Sequence, residues 1–247
     1  MPFTFSHPIA ILPFCYLPKR FRSVTGLVVG SLVPDFEKFI RMRIYDSFSH
    51  TWPAIFYFNL PLGILLAFLF HNIVREPLVD NLPLSLRKRL VAFNGLNWNK
   101  AFRENYPIII FSILIGVISH FALDSCTHPY GKVVQLVPAL STRLLWKEQT
   151  YAIFGILDRV ISLVAILIFF FLVIRLPKHE AGIRAEYNFN GFWLFFGVLV
   201  LVIIWVRLQY KLEPQLYFYD LISTTIAAVL LSLLLVSCFV KVTILRS

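Results

Sequence analysis

The sequence predicts an all-α, polytopic helical membrane protein, and three observations carry that prediction. Of the 247 residues, 58% are hydrophobic and only 15% are charged, whereas soluble domains carry about 25% charged and 45–50% apolar residues. Mean hydropathy is +0.76, and 25 residues are Phe, which is more apolar surface than a water-soluble globule hides. The apolar residues also run in continuous stretches on the scale of a bilayer crossing, which takes roughly 20 helical residues. Helix is the expected form of each stretch, because in lipid every backbone polar group needs a partner within its own segment. An ordinary cytosolic enzyme and a disordered chain are excluded. Cys15, Cys126 and Cys238 lie too far apart for a CxxC zinc site or a disulfide framework.

In chain order, the opening MPFTFSHP has neither the basic region nor the small-residue cleavage site of a signal peptide, so it is expected to stay in the mature protein. Val24 to Val33 is apolar and holds Gly26 and Gly30, but it is too short to cross a bilayer and Pro34 stops it. A short packed or re-entrant helix is expected there. Five spans follow: Pro53 to Val74, Tyr106 to Leu123, Ala152 to Ile174, Phe192 to Val206 and Tyr217 to Val240. No sheet is expected. The most polar stretch, Arg75 to Asn105, contains the run Arg87-Lys88-Arg89 and reads as a solvated loop or an interfacial helix. With no repeat and no low-complexity linker, residues 1–247 are expected to form a single membrane domain. Residues 1–150 bear the polar candidates, and residues 151–247 read as helical scaffold.

Net charge is +10. In a soluble chain that balance points to nucleic acid, but juxtamembrane Lys and Arg facing anionic lipid account for it here. Membrane lipids, and no nucleic acid, are therefore the expected partners. Lys and Arg divide evenly about the five spans, so the positive-inside bias assigns no orientation. The alternation of spans still fixes which segments share a face.

Face-sharing matters for six residues. His7, Asp35 and His50 precede the first span, while His120, Asp124 and His128 close the second, after the chain has crossed and returned. All six therefore belong at one face; opposite faces would set them about 30 Å apart. His120-x-x-x-Asp124 places two donor groups one helical turn apart on one face, and His128 repeats the spacing before Pro129 and Gly131 end the helix. Imidazole and carboxylate form a nitrogen–oxygen ligand set that suits zinc, with manganese or iron as alternatives. Ionisable groups bordering hydrocarbon are costly and commonly functional. Each residue also has a structural reading. His7 and His50 read as capping or surface residues, Asp35 as a helix N-cap ahead of Lys38, and the HxxxD pair as a hydrogen-bonded couple.

The strings MPFTFSHP, GSLVPDFEKF, SHT, NLPLGILLAFLFH and SHFALDSCTHPYG, all within roughly residues 1–135, together resemble the DUF4184 family of bacterial membrane proteins. That family resembles, more distantly, the DUF457-type membrane-bound metal-dependent hydrolases, and through them the helical fold of zinc-dependent phospholipase C and P1 nuclease. The resemblance implies that His7, Asp35, His50, His120 and Asp124 stand at zinc-ligand positions in the same chain order. It also implies a phospholipase C-like helical core and a place in the bacterial plasma (inner) membrane. The departures are specific. In the secreted phospholipases the free N-terminal amino group helps to bind a metal, whereas His7 lies inside this chain. The third histidine after HxxxD sits two residues further along there than His128 does here. No later HxxxE pair follows, and Asp158, beside Arg159, is the late carboxylate that could add a ligand, with a helix-boundary charge pair as its other reading. One or two zinc ions are expected, not three.

The function expected on these grounds is a metal-dependent hydrolase acting on a phosphoester of a lipid-type substrate at the bilayer surface. In that reading Asp35 positions or deprotonates the attacking water, and His128 or His50 protonates the leaving group. Lys19, Arg20, Arg22, Lys38, Arg41 and Arg43 either hold an anionic head group or retain the chain at the membrane surface. The alternative is a non-enzymatic membrane protein in which the cluster is a structural metal site or an ion path.

Overall fold

In the computed structural model, which describes residues 4–146, 149–179, 189–210 and 216–244, five helices are long and apolar enough to cross a membrane. They are Ile55–Asp80, Trp98–Leu136, Ile153–Arg175, Asn190–Leu208 and Tyr217–Thr243, here the first to fifth spans. Each coincides with a stretch read from the sequence. The third and fourth spans turn most of their side chains outward: Leu167, Phe170, Leu201 and Trp205 are all exposed. In water a continuous surface of this kind would drive aggregation, whereas in lipid it is the matching face.

The chain divides into two compact units. The first comprises Met1–Pro34, Phe48–Ile64 and Asn105–Leu172, and the second comprises Asp35–Ser47, Leu65–Glu104 and Val173–Ser247.

The first unit opens with a 3₁₀ helix, Thr4–Tyr16, in which Pro8 and Pro13 lack the N–H groups a longer α-helix would use. The short helix expected at Val24 follows as Val24–Leu32. Ser23 caps it, its Oγ accepting the Gly26 N–H at 3.2 Å, while the Ser23 N–H donates to Ser112 Oγ of the second span at 2.8 Å. Glycine is required along this seam. A Cβ on Gly26 would lie 2.7 Å from the Ile109 carbonyl oxygen, one on Gly30 would collide with the Ile113 backbone, and one on Gly116 would lie 2.5 Å from the Leu27 carbonyl oxygen. Leu27, Val33, Ile113 and Val117 form the dry core beside it. Such small-residue seams let membrane helices approach to backbone contact.

Both ends of the first span carry a π-helical turn, Ile55–Asn59 and Phe70–Val74. The second span breaks from helical geometry at Asn105, two residues before Pro107, as expected where a proline removes a backbone donor and crowds the preceding turn. Residues 143–152 correct the sequence reading. Arg143–Trp146 and Gln149–Ala152 pair as an antiparallel ladder, Leu144 opposite Tyr151 and Leu145 opposite Thr150, where no sheet was expected.

In the second unit the last two spans pack against each other, and the fifth also meets Phe36–Arg41 and the Phe70–Asp80 end of the first span. Phe36–Arg41 ends at Met42, whose φ of 50° is left-handed. The Met42 carbonyl accepts from Thr224 Oγ1 at 3.3 Å, and the Ile44 N–H donates to Asp220 Oδ1 at 2.8 Å, which ties this segment to the fifth span. The polar stretch Arg75 to Asn105 is not a solvated loop throughout. Its described residues form helices Arg75–Asp80 and Leu84–Leu90, and Arg75, Asp80, Asn81 and Arg87 are buried.

The seam generates a stability prediction. Gly30→Val forces backbone rather than side chain to yield, so a loss of about 3 kcal/mol, the upper end of overpacking costs, is expected. Gly155→Ala, at a position with nothing within 4 Å, is expected to be near neutral. Thermal unfolding of both variants in detergent checks the contrast.

Candidate metal centre

The last helical turns of the second span set the centre. His120 and Asp124 stand one turn apart in the Trp98–Thr127 helix. The His128 N–H donates to the Asp124 carbonyl at 3.0 Å and carries the helical pitch one residue further. The seam described above then supplies a partner for His120. Ser31 lies in the last turn of Val24–Leu32, where carbonyls have no intrahelical donor, and its oxygen is 2.8 Å from His120 Nδ1. A carbonyl only accepts, so Nδ1 carries the hydrogen and Nε2 presents its lone pair in the neutral ring. The same logic holds for His7, whose Nδ1 lies 3.1 Å from the Thr4 carbonyl. Its ring stacks on that of His120 at 3.9 Å between centroids.

Both remaining nitrogens turn to Asp124. His7 Nε2 is 3.1 Å from Oδ1 and His120 Nε2 is 3.3 Å from Oδ2. His50 arrives from the loop before the first span. Its Nε2 lies 3.1 Å from His120 Nε2 and 3.5 Å from Asp124 Oδ2, and its Nδ1 lies 3.0 Å from Ser49 Oγ. That loop is pinned by Asn59, buried in the π-helical turn, which donates from Nδ2 to the Ser49 carbonyl at 2.8 Å. His128 Nδ1 lies 3.3 Å from Oδ1. One carboxylate thus has two histidines on each oxygen. The contact between His50 and Asp124 also joins the loop before the first span to the far end of the second, as a chain that crosses and returns requires.

The fit of this donor set to a metal can be tested on distances. Ligands at 2.0–2.2 Å from a tetrahedral zinc stand roughly 3.4 Å from one another. The His50–His120, His120–Asp124 and His50–Asp124 separations of 3.1, 3.3 and 3.5 Å bracket that value. Carbonyl oxygens behind His7 and His120 act as the outer partners that fix the tautomer of metal-binding imidazoles. A nitrogen-rich set with one carboxylate suits zinc or iron better than calcium or magnesium.

The remaining candidates have partners of their own. Asp35 belongs to the second unit, where it stands at the N-terminus of Phe36–Arg41 without a capping bond and is buried in an ion pair with Lys38. His71 and His179 also belong to the second unit: His71 stacks on Trp98 at 4.4 Å, and the His179 N–H donates to the Lys88 carbonyl at 2.7 Å. Asp158 is buried, whereas Arg159 is exposed and lies over the Tyr151 ring at 5.1 Å. Among the basic residues, Arg22 Nε donates to the Leu17 carbonyl and Arg41 pairs with Glu37. The residue that sequence reasoning missed is Asn59; its signal was a lone amide inside an apolar span.

Residues 1–238 match the model of a domain of unknown function, DUF4184. The chain belongs to the DUF4184 family. The match covers the motifs of the first half and the hydrophobic second half alike. No curated protein and no solved structure matches this DUF4184 chain, so its chemistry is argued from the centre itself.

Asn59→Ala removes the donor to the Ser49 carbonyl and frees the His50 loop. A loss of about 1–3 kcal/mol is expected from the buried acceptor left behind, read by thermal unfolding in detergent.

Proposed function

We propose that this DUF4184 protein is a membrane-bound, zinc-dependent phosphoester hydrolase of the bacterial plasma membrane, acting on a lipid-type substrate at the bilayer surface. The observation that carries the proposal is the set of ligand-like separations among His50, His120 and Asp124, with the His120 lone pair directed by the Ser31 carbonyl. His50, His120 and Asp124 would hold one ion through Oδ2, and His7 and His128 flank Oδ1, so one or two ions are accommodated. Zinc so held supplies Lewis acidity toward a phosphoryl oxygen and brings the pKa of a coordinated water to about 7.

The side chains divide the remaining work. Asp124 neutralises positive charge between the two histidine pairs. His7 and His120, fully buried, keep the centre rigid, while His50, 23% exposed, and Asp124, 17% exposed, form the side that substrate and water reach. Trp52 meets Phe121 edge to face at 5.9 Å beside His50; Trp52 is itself exposed, and exposed Trp is a residue of the lipid interface. His128 is assigned the proton for the leaving oxygen.

The competing reading is a structural ion, favoured by the burial of His7 and His120 at 1% and 0%. Purified protein is expected to carry at least one zinc by elemental analysis and to release phosphate or head group from mixed phospholipids or polyprenyl phosphates. Asp124→Ala should lose both metal and turnover, and His128→Gln should keep metal while turnover falls about 10²-fold or more. Zinc-replete protein inactive on all these substrates would establish the structural ion, and protein that binds no zinc would remove both readings.

A further inference from the structure

A second polar site lies in the second unit. A cavity of about 300 Å³ is lined by His71, Arg75, Glu76, Asn94, Trp98 and Lys241, among others, at the end of the first span and the start of the second. Two of its lining residues carry a donor with no acceptor. Arg75 Nε and Trp98 Nε1 are both buried without a hydrogen-bond partner, in residues that are each 4% exposed. Unpaired buried donors are costly, and a charged one more so, so a polar cavity beside them calls for an occupant.

The wall is built to stay in place. Arg75 Nη1 lies 3.0 Å from His71 Nδ1, and Nη2 donates to the Asn94 and Leu96 carbonyls at 3.2 and 2.8 Å. These contacts orient the guanidinium and leave its Nε–H edge over. The indole of Trp98 is held by its stack on His71 at 4.4 Å. Lys241 Nζ donates to the Asn72 carbonyl at 2.6 Å and pairs with Glu76 Oε2 at 3.3 Å. Glu76 Oε1 lies 3.6 Å from Arg75 Nη2. Among the lining residues two cations therefore face one carboxylate, and Asp80 stands behind Asn94 as a second acid. The donors come from three separate elements, which a group with several acceptor oxygens satisfies better than a single carbonyl does. Asn94 adds an acceptor: its Nδ2 donates to Asp80 Oδ1 at 3.1 Å, while its Oδ1 is buried without a partner. Inorganic hydrogen phosphate offers both acceptor oxygens and one O–H, and a phosphomonoester, whose second pKa is about 6, offers the O–H in its monoanionic form.

We propose that this cavity binds a phosphate group through Arg75 Nε, Trp98 Nε1 and Lys241 Nζ, with Asn94 Oδ1 accepting the P–OH. The group is either inorganic phosphate or the phosphomonoester head group of a lipid, and the site is independent of the metal centre. The test uses full-length protein in phosphatidylcholine nanodiscs with chelator present. One arm titrates radiolabelled inorganic phosphate, and the other replaces part of the lipid with phosphatidic acid and reads retained lipid by native mass spectrometry. Saturable binding in the first arm identifies the soluble anion, and selective retention in the second identifies the head group. In whichever arm binds, Trp98→Phe, which keeps the ring and removes the N–H, should weaken binding about tenfold, the worth of one charge-assisted hydrogen bond. Lys241→Gln, at a partly exposed position, should do the same and carries the test if the indole variant fails to fold. Binding in neither arm, or binding unchanged in the folded variants, overturns the proposal.

Discussion

The backbone approach of Val24–Leu32 to the second span is the constraint on which the candidate centre depends. Apolar association gains little inside lipid, so helices there are held by close packing and by polar contacts that would otherwise go unmade. Gly26, Gly30 and Gly116 remove the side-chain volume that would hold the two backbones apart. Their closeness brings an unpaired C-terminal carbonyl, that of Ser31, within 2.8 Å of His120 Nδ1. A bulkier residue at Gly30 would separate the helices, strand that carbonyl and release the imidazole together. Packing and chemistry therefore share one seam, and a variant that damages the first is expected to disturb the second.

Charge balance sharpens the reading of the centre. One carboxylate stands among four imidazoles in a setting where an unpaired charge is expensive. Protons alone can satisfy part of it: an imidazolium at His7 would donate to Oδ1 through Nε2. They serve the other oxygen less well. His50 Nε2 and His120 Nε2 are 3.1 Å apart and both lie near Oδ2, and a hydrogen on one nitrogen can point to the other or to the carboxylate but not fully to both. A cation at their centre meets all three lone pairs at once, and that asymmetry is why the metal reading is preferred to a purely protonic one.

The spans were legible because continuous apolar runs of helical length leave few alternatives, and the packed helix at Val24 was legible because it is apolar yet too short. The pitch of His120, Asp124 and His128 was also legible, since spacing alone sets it. The meeting of His50 with Asp124 followed from counting crossings, and the motifs of the first half pointed to the DUF4184 family. What the sequence hid depends on tertiary partners. Arg75 opens a stretch that reads as a solvated loop or an interfacial helix, yet it is buried, with the carbonyls of Asn94 and Leu96 accepting from it. The ladder at 143–152 escaped notice because two four-residue strands are too short to reveal a period.

Exposure is the property that separates a working centre from a closed one. A structural zinc site completes its coordination with protein and gains by excluding water, whereas a catalytic site keeps one position open. Here the gradient runs across the cluster, from His7 and His120, sealed by the Val24–Leu32 helix and the Thr4–Tyr16 segment, to His50 and Asp124 at the partly exposed edge. The rigid members are the ones with carbonyl partners, and the accessible members are the ones beside Trp52 and Phe121. If the open position lies on that edge, a phosphoester presented from the lipid surface meets the metal from the side where the aromatic rings stand. The sealed pair then keeps its geometry while bonds at the exposed side change.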